Sequence, residues 1–491
     1  MDTPRARSLG ELKRLGWTSR GVRDEMRANL VEMLRAGKTE RDRWPGILGY
    51  EKTVLPRIEN AILSRHDFIL LGLRGQAKTR LLRMLVNFLD PFLPALEGAE
   101  LNDDPFHPIS RRGRDMVKEA GDDAPVQWIP REERYREKLA TPDVTIADLL
   151  GDIDPIKAAA RRLSLADEDV LHFGIIPRTN RGIFAINELP DLSPRIQVGL
   201  LNILEERDVQ LRGHPVRFPL DVLLVFSANP EDYTNRGSII TPLRDRISSQ
   251  VLTHYPPTLD VAKAITDQEA WTNRPAADVR VPPFLREIVE ETAIRARASE
   301  FVDQNSGVSV RLTISLLENV VSNAERRALR LGETKAVARL SDLFAAESAV
   351  TGKIELVFEG EREGPAAIAD RILGEGVLAV FRRHFPEPYT SARKTKEPQA
   401  PDAYKPIVDW FAKGNAVLVH DEHAEIAGLL DIPGLKDLVK EHLKPKKEDL
   451  PAACELVLEG LHRSSLLAKD ASPDGATYGD MLKGMFRDFE G

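Results

Sequence analysis

The stretch Gly72-Leu73-Arg74-Gly75-Gln76-Ala77-Lys78-Thr79 follows the apolar run Phe68-Ile69-Leu70-Leu71 without a break. Leu81, Leu82, Leu85 and Phe88 come next at helical spacing. A buried strand, a tight glycine-bearing loop with a Lys-Thr pair and an amphipathic helix are what a phosphate-binding loop requires. Backbone N–H groups of such a loop form a concave anion site. Lys78 is placed to reach the β- and γ-phosphates of a nucleotide as a point charge, and the Thr79 hydroxyl to ligate Mg²⁺. Gly72, Gly75, Gln76 and Ala77 complete the cradle. Ala77 stands where the plain pattern has glycine. Alanine avoids positive φ, so the reading expects a negative φ there.

Outward from this loop, residues 47–257 alternate short β runs with amphipathic helices, which indicates an α/β domain with a parallel sheet. The clearest strands are 68–71, 182–186 and 222–227. Ser193-Pro194 reads as a helix start, with Ile196, Leu200, Ile203 and Leu204 on one face. Before this domain, residues 1–44 form a charged, helix-prone extension closed by Trp44-Pro45-Gly46. After Pro256-Pro257 the pattern turns helical, over about 259–271, 283–299, 310–331 and 337–350, within a lid domain of residues 258–385. Residues 386–406, rich in proline and carrying Arg393-Lys394-Thr395-Lys396, read as a linker. Residues 407–491 read as a small, mostly helical module.

Three strand ends add chemistry to the loop. The run Gly182-Ile183-Phe184-Ala185-Ile186 ends in Asn187-Glu188. With this strand lying beside the 68–71 strand, Glu188 would polarise an attacking water. Asn187 stands where an aspartate normally helps hold the Mg²⁺ shell. The run Val225-Phe226-Ser227-Ala228 ends in Asn229, which can contact the γ-phosphate or orient the water. Pro242-Leu243-Arg244-Asp245-Arg246 carries arginines that can reach a neighbouring subunit's nucleotide. Farther on, Arg311 opens a helix, a poor place for a cation unless it serves a phosphate.

In this order the segments resemble an AAA+ ATPase of the magnesium-chelatase ATPase-subunit and MoxR-like branch, over about residues 45–350. Ile47-Leu48-Gly49-Tyr50 resembles the adenine-side motif of that family. Thr141–Lys157, Phe173–Gly182 and the hairpin-like Asp208–Phe218 resemble three further family segments. The resemblance implies Glu188 as catalytic base in a Walker B strand, Asn229 as first sensor, Arg246 or Arg244 as arginine finger and Arg311 as second sensor. It also implies ATP with Mg²⁺, held by Thr79 and Asn187. A ring, expected to be a hexamer, follows, as does a protein client, often one with a von Willebrand A domain.

Composition narrows the class. Lys and Arg number 69 against 77 Asp and Glu, a net charge of −8, which argues against a general nucleic-acid binder. Arg207, Arg212, His214 and Arg217 nonetheless give the 208–218 hairpin local positive charge, so a nucleic-acid motor is one alternative. A nucleotide-gated scaffold with little turnover is another, supported by Asn187. An enhancer-dependent transcription activator would carry a Gly-Ala-Phe-rich loop, which the sequence lacks. The single cysteine, Cys454, excludes an internal disulfide, fits a reducing cytoplasmic compartment and reads as a core residue. No apolar run approaches the ~18 residues that span a bilayer. His420-Asp421-Glu422-His423 lacks a third ligand and reads as a solvated turn, not a metal site.

Overall fold

The computed structural model describes residues 6–154, 156, 168–210, 217–230, 238–388, 403–420, 428–472 and 475–481. Arg212, His214, residues 421–423 and the middle of the 386–406 segment lie outside them. The chain forms two compact units, Met1–His254 and Tyr255–Gly491.

The first unit is built on five strands: β1 Phe68–Leu71, β2 Tyr135–Leu139, β3 Gly182–Asn187, β4 Val222–Ala228 and β5 Ser249–Leu252. Their order is β5-β1-β4-β3-β2, and every neighbouring pair is parallel. β1, β3 and β4 are buried at every residue, as in a sheet covered on both faces. Alternation along each strand divides them between two layers. Phe68, Leu70, Ile183, Ala185, Leu223 and Val225 pack with Val22, Met26 and Leu30 of helix Val22–Arg35 and with helices Val54–Leu63 and Lys78–Met84. Ile69, Leu71, Phe184, Ile186, Leu224 and Phe226 pack on the other side with Ile196, Leu200, Ile203 and Leu204. Ser193 does precede the helix opened by Pro194, though its side chain makes no capping hydrogen bond.

One expectation about the sheet is corrected. β3 does not lie beside β1, because β4 separates them: Val225 pairs with Phe68 on one side and with Ala185 on the other. The longest apolar strand takes the centre, where both of its edges and both of its faces are covered. β2 was not among the strands read from the sequence. It is an edge strand whose Arg136, Glu137 and Lys138 break the apolar run, as charges on sheet edges commonly do.

The second unit has helices Leu259–Glu269, Pro283–Ala298, Arg311–Arg330 and Pro365–His384, followed by Lys405–Ala412, Leu435–His442 and Leu450–Arg463. All of these but the first bury apolar side chains in one core with Cys454, which is fully buried, and burial pushes its thiol up to about 12. One expectation is corrected here. The 337–350 helix is instead the end of strand Lys335–Val337, then helix Leu340–Phe344, then helix Glu347–Thr351. The strand pairs in parallel with Asp278–Arg280, and the Arg339 N–H donates to Asp342 Oδ2 (3.0 Å) to start the first helix. The C-terminal module also contains an antiparallel sheet, Val417–His420, Gly475–Asp480 and Leu467–Ser472 in that order. It is anchored by Tyr478, whose hydroxyl donates to the buried Glu459 (2.6 Å).

A buried carboxyl gives this unit a pH dependence. Glu290 is 5% exposed and accepts a hydrogen bond from Thr266, which also meets Thr313 (2.9 Å) on the next helix. Burial pushes its pKa from 4.5 up to about 7. Between those values the folded chain holds a proton that the unfolded chain has released. Its contribution to stability is therefore full below about pH 4.5 and is lost as the pH rises through about 7. Glu290→Gln should keep the Thr266 bond without ionising. Thermal melting of the two proteins should coincide at pH 4.5 and separate at pH 8, with the variant higher. Parallel curves at both values would refute the assignment.

Candidate active site

The C-terminal ends of β1, β4 and β3 lie side by side and bring Lys78, Asn187, Glu188 and Asn229 to one edge of the sheet. The Gly72 N–H donates to the Ala228 carbonyl (3.2 Å), carrying the β1–β4 ladder one step past the strand. Glycine is required there: a Cβ would lie 1.8 Å from Thr253 Oγ1 and 2.2 Å from Gln76 Oε1. Those two groups brace the loop, with the Thr253 hydroxyl donating to Gln76 Oε1 (2.7 Å). The Tyr50 hydroxyl lies 3.0 Å from the Gln76 carbonyl and 2.8 Å from that of His254, so the Ile47–Tyr50 segment is fastened to the loop through its last residue. Ile47 is buried, Leu48 is half-buried, and Gly49 turns the chain at φ 82.

Ala77 reverses the expectation drawn for it. It adopts φ 56, ψ 17, the left-handed conformation, directly ahead of helix Lys78–Met84. The loop turns its backbone inward at this point, and the turn, not the side chain, sets φ. The left-handed conformation costs a non-glycine residue about 1–2 kcal/mol. Ala77→Gly should therefore raise stability by about 1 kcal/mol, net of the greater chain entropy of glycine. Chemical denaturation of both proteins checks this, and a less stable glycine variant would contradict it.

Lys78 is 7% exposed, and its ammonium donates to the carbonyls of Gly72 and Leu73 (the latter at 3.1 Å) and to Asn229 Oδ1 (2.7 Å). Two residues 151 positions apart thus meet across the β1–β4 seam. Thr79 follows in the first helical turn, half-buried, and Leu81 and Leu82 hold the helix to the core. The helix tightens into a 3₁₀ turn over Leu85–Phe88.

On the next strand Asn187 is 8% exposed, and its Oδ1 accepts from the Ser227 hydroxyl (3.0 Å). The same Ser227 oxygen accepts from the Glu188 N–H (3.4 Å). Ser227 was not singled out by the sequence reading, although a lone hydroxyl inside an apolar strand beside Asn229 was the available signal. Glu188 is half-buried and left-handed (φ 56, ψ 50), which swings it out of the strand line at the sheet edge.

The two candidate fingers differ. Arg246 forms an ion pair with Glu205 (2.6 Å) and donates to the Pro242 carbonyl (3.0 Å). Arg244, on the same helix Thr241–Arg246, is exposed and has no ion-pair partner among the described residues. Arg311 is the exposed first residue of a second-unit helix, its N–H donating to Ser309 Oγ (3.1 Å). Of the basic residues near the 208–218 hairpin, Arg207 pairs with Asp67 (2.6 Å) and Arg217 with Asp208 (3.3 Å). Among the described residues no cluster of His, Cys, Asp and Glu could hold a metal ion by itself, and no helix is long and apolar enough to cross a membrane.

Residues 129–247 match the family model for the AAA domain of the dynein-related subfamily. The matched segment includes Asn187, Glu188, Asn229, Arg244 and Arg246 and begins after the Lys78 loop. Among curated proteins, the hydrogenase transcriptional regulatory protein HoxA of Cupriavidus necator is 32% identical over 87 residues, 17% of this chain and 18% of that protein. The chain thus aligns with less than a fifth of the length of that relative. Among solved structures, NtrX from Brucella abortus in complex with ADP is similar at 11% identity and a TM-score of 0.35, covering 76% of this chain and 65% of that one. A chain in the complex between subunits BchI and BchD of magnesium chelatase is similar at 19% identity and a TM-score of 0.33, covering 65% of this chain and 98% of that one. At TM-scores of this size the likenesses bear on neither fold nor function.

Proposed function

We propose that the protein is a Mg²⁺-dependent AAA+ ATPase that assembles as a ring and couples ATP hydrolysis to remodelling a partner protein. The magnesium-chelatase-like and MoxR-like resemblance suggests that kind of client. The observation that carries the reading is the meeting of Lys78, Asn229 and the Asn187-Glu188 pair at one edge of three adjacent strands.

In this reading the loop N–H groups and Lys78 hold the β- and γ-phosphates. Lys78 exchanges its bond to Asn229 for phosphate oxygens, which releases the Asn229 carboxamide to face the γ-phosphate. Glu188 takes a proton from the attacking water as the water oxygen bonds to the γ-phosphorus. The bond from that phosphorus to the bridging oxygen breaks, leaving ADP and phosphate. The donors present suit Mg²⁺, which favours hard oxygen ligands. Thr79 supplies a hydroxyl, and Asn187 an amide whose oxygen is turned toward Ser227. Bound Mg²⁺ would neutralise charge on the phosphate oxygens. An asparagine at position 187 contributes no charge to that ion, so a modest Mg²⁺ affinity is expected.

The arginine finger falls to Arg244 over Arg246, because Arg246 is already held by Glu205. Arg244→Ala should leave ATP binding intact and cut turnover by about 10³-fold, whereas Arg246→Ala should cost far less. Mixing Arg244→Ala with Lys78→Ala subunits should restore part of the activity, since some interfaces then combine an intact loop with an intact finger. Absence of recovery in well-mixed assemblies would overturn a role across the interface. The pairing of Arg207 and Arg217 with internal carboxylates favours a protein client over nucleic acid.

A further inference from the structure

The second unit contains a cavity of about 620 Å³ between the strands Asp278–Arg280 and Lys335–Val337 and the start of helix Leu450–Arg463. Its size is that of small-molecule sites, roughly 300–1,000 Å³. Five basic side chains line it: Arg280, Arg286, Arg327, Lys335 and Arg339. Its carboxylates are Asp278, Glu333 and Glu448.

The most deeply set of these lining charges are two arginines. Arg327 and Arg339 are 7% and 3% exposed, whereas Asp278, Glu333 and Glu448 are all exposed. Two arginines thus form the floor, and the three carboxylates share the rim with Lys335. The floor is rigid: Arg327 is fixed by Asp342 and by the Val337 carbonyl (2.8 Å). At the wall, Arg280 is clamped by Asp449 through Nε and Nη2 (2.6 and 2.8 Å), a bidentate pair that leaves Nη1 for another acceptor. Lys335 is exposed and has no ion-pair partner among the described residues. Val279, Val281, Ala336 and Pro451 add apolar surface.

We propose that this cavity binds a small organic anion, an apolar body carrying phosphate or carboxylate, with the charge held by Arg280 and Lys335 above the two floor arginines. The acidic rim disfavours a large polyanion, whose outer charges would meet Asp278, Glu333 and Glu448. The site lies wholly in the second unit and does not depend on the ATPase reading.

The test is isothermal titration of the full chain at low salt with three probes: phenyl phosphate, phenylacetate and the neutral 2-phenylethanol. Saturable binding of one or both anions, with none of the alcohol, is expected. The anion that binds identifies the headgroup. Lys335→Glu should weaken that binding by at least about tenfold and Lys335→Gln by less, with unchanged melting temperatures showing that both fold. Lys78→Ala should bind the probe as the wild type does. The proposal is overturned if neither anion binds saturably, if the alcohol binds equally well, if Lys335→Glu leaves the affinity unchanged, or if the affinity is lost in Lys78→Ala.

Discussion

Lys78→Ala is expected to weaken ATP binding by about one to two orders of magnitude and to abolish turnover. The ammonium is almost fully buried and converges with Asn229 at the mouth of the loop, so its charge acts on phosphate in a poorly solvated place. A hydrogen bond to a charged group is worth about 1.5–3 kcal/mol, which sets the size of the loss. Titration with a fluorescent ATP analogue measures it, and the melting temperature without nucleotide shows whether the fold survives. Wild-type affinity in a folded Lys78→Ala protein would remove the loop from the account.

Glu188→Gln is expected to separate binding from chemistry. Glutamine keeps the size of the side chain and leaves the Glu188 N–H bond to Ser227 in place, but it cannot accept a proton. Loss of a general base costs about 10²–10⁴ in rate. ATP affinity should stay close to that of the wild type, and assembled rings should accumulate in the ATP-bound state. Near-normal phosphate release from this variant would assign the base to another residue.

Much of the first unit could be read locally because its signals are local. The apolar run at 68–71, the Lys-Thr pair and the helix after it are contiguous, and they fold as β1, loop and helix. What stayed hidden depends on distant partners. Gln76 is held by Thr253 and Tyr50, 177 and 26 residues away, and no periodicity announces such contacts. The sequence put Arg246 ahead of Arg244 as the finger, and the ion pair that reverses the order comes from Glu205, 41 residues before Arg246. Ala77 was misjudged because intrinsic φ preference was set against a loop whose course is fixed at both ends by β1 and the following helix. The antiparallel strands near the C-terminus were overlooked because Tyr478 earns its place through Glu459 on a helix, not through alternation along its own strand.

The central claim is that the sheet edge carrying Lys78, Asn229 and Glu188 hydrolyses ATP with Mg²⁺. Its most direct test is steady-state phosphate release by the wild-type chain at saturating ATP across a Mg²⁺ titration, with Glu188→Gln and an EDTA-treated sample as baselines. The account predicts a wild-type rate that climbs with Mg²⁺ well above both baselines. A wild-type rate equal to the Glu188→Gln baseline at every Mg²⁺ concentration, with ATP bound, would contradict it and leave a nucleotide-gated scaffold.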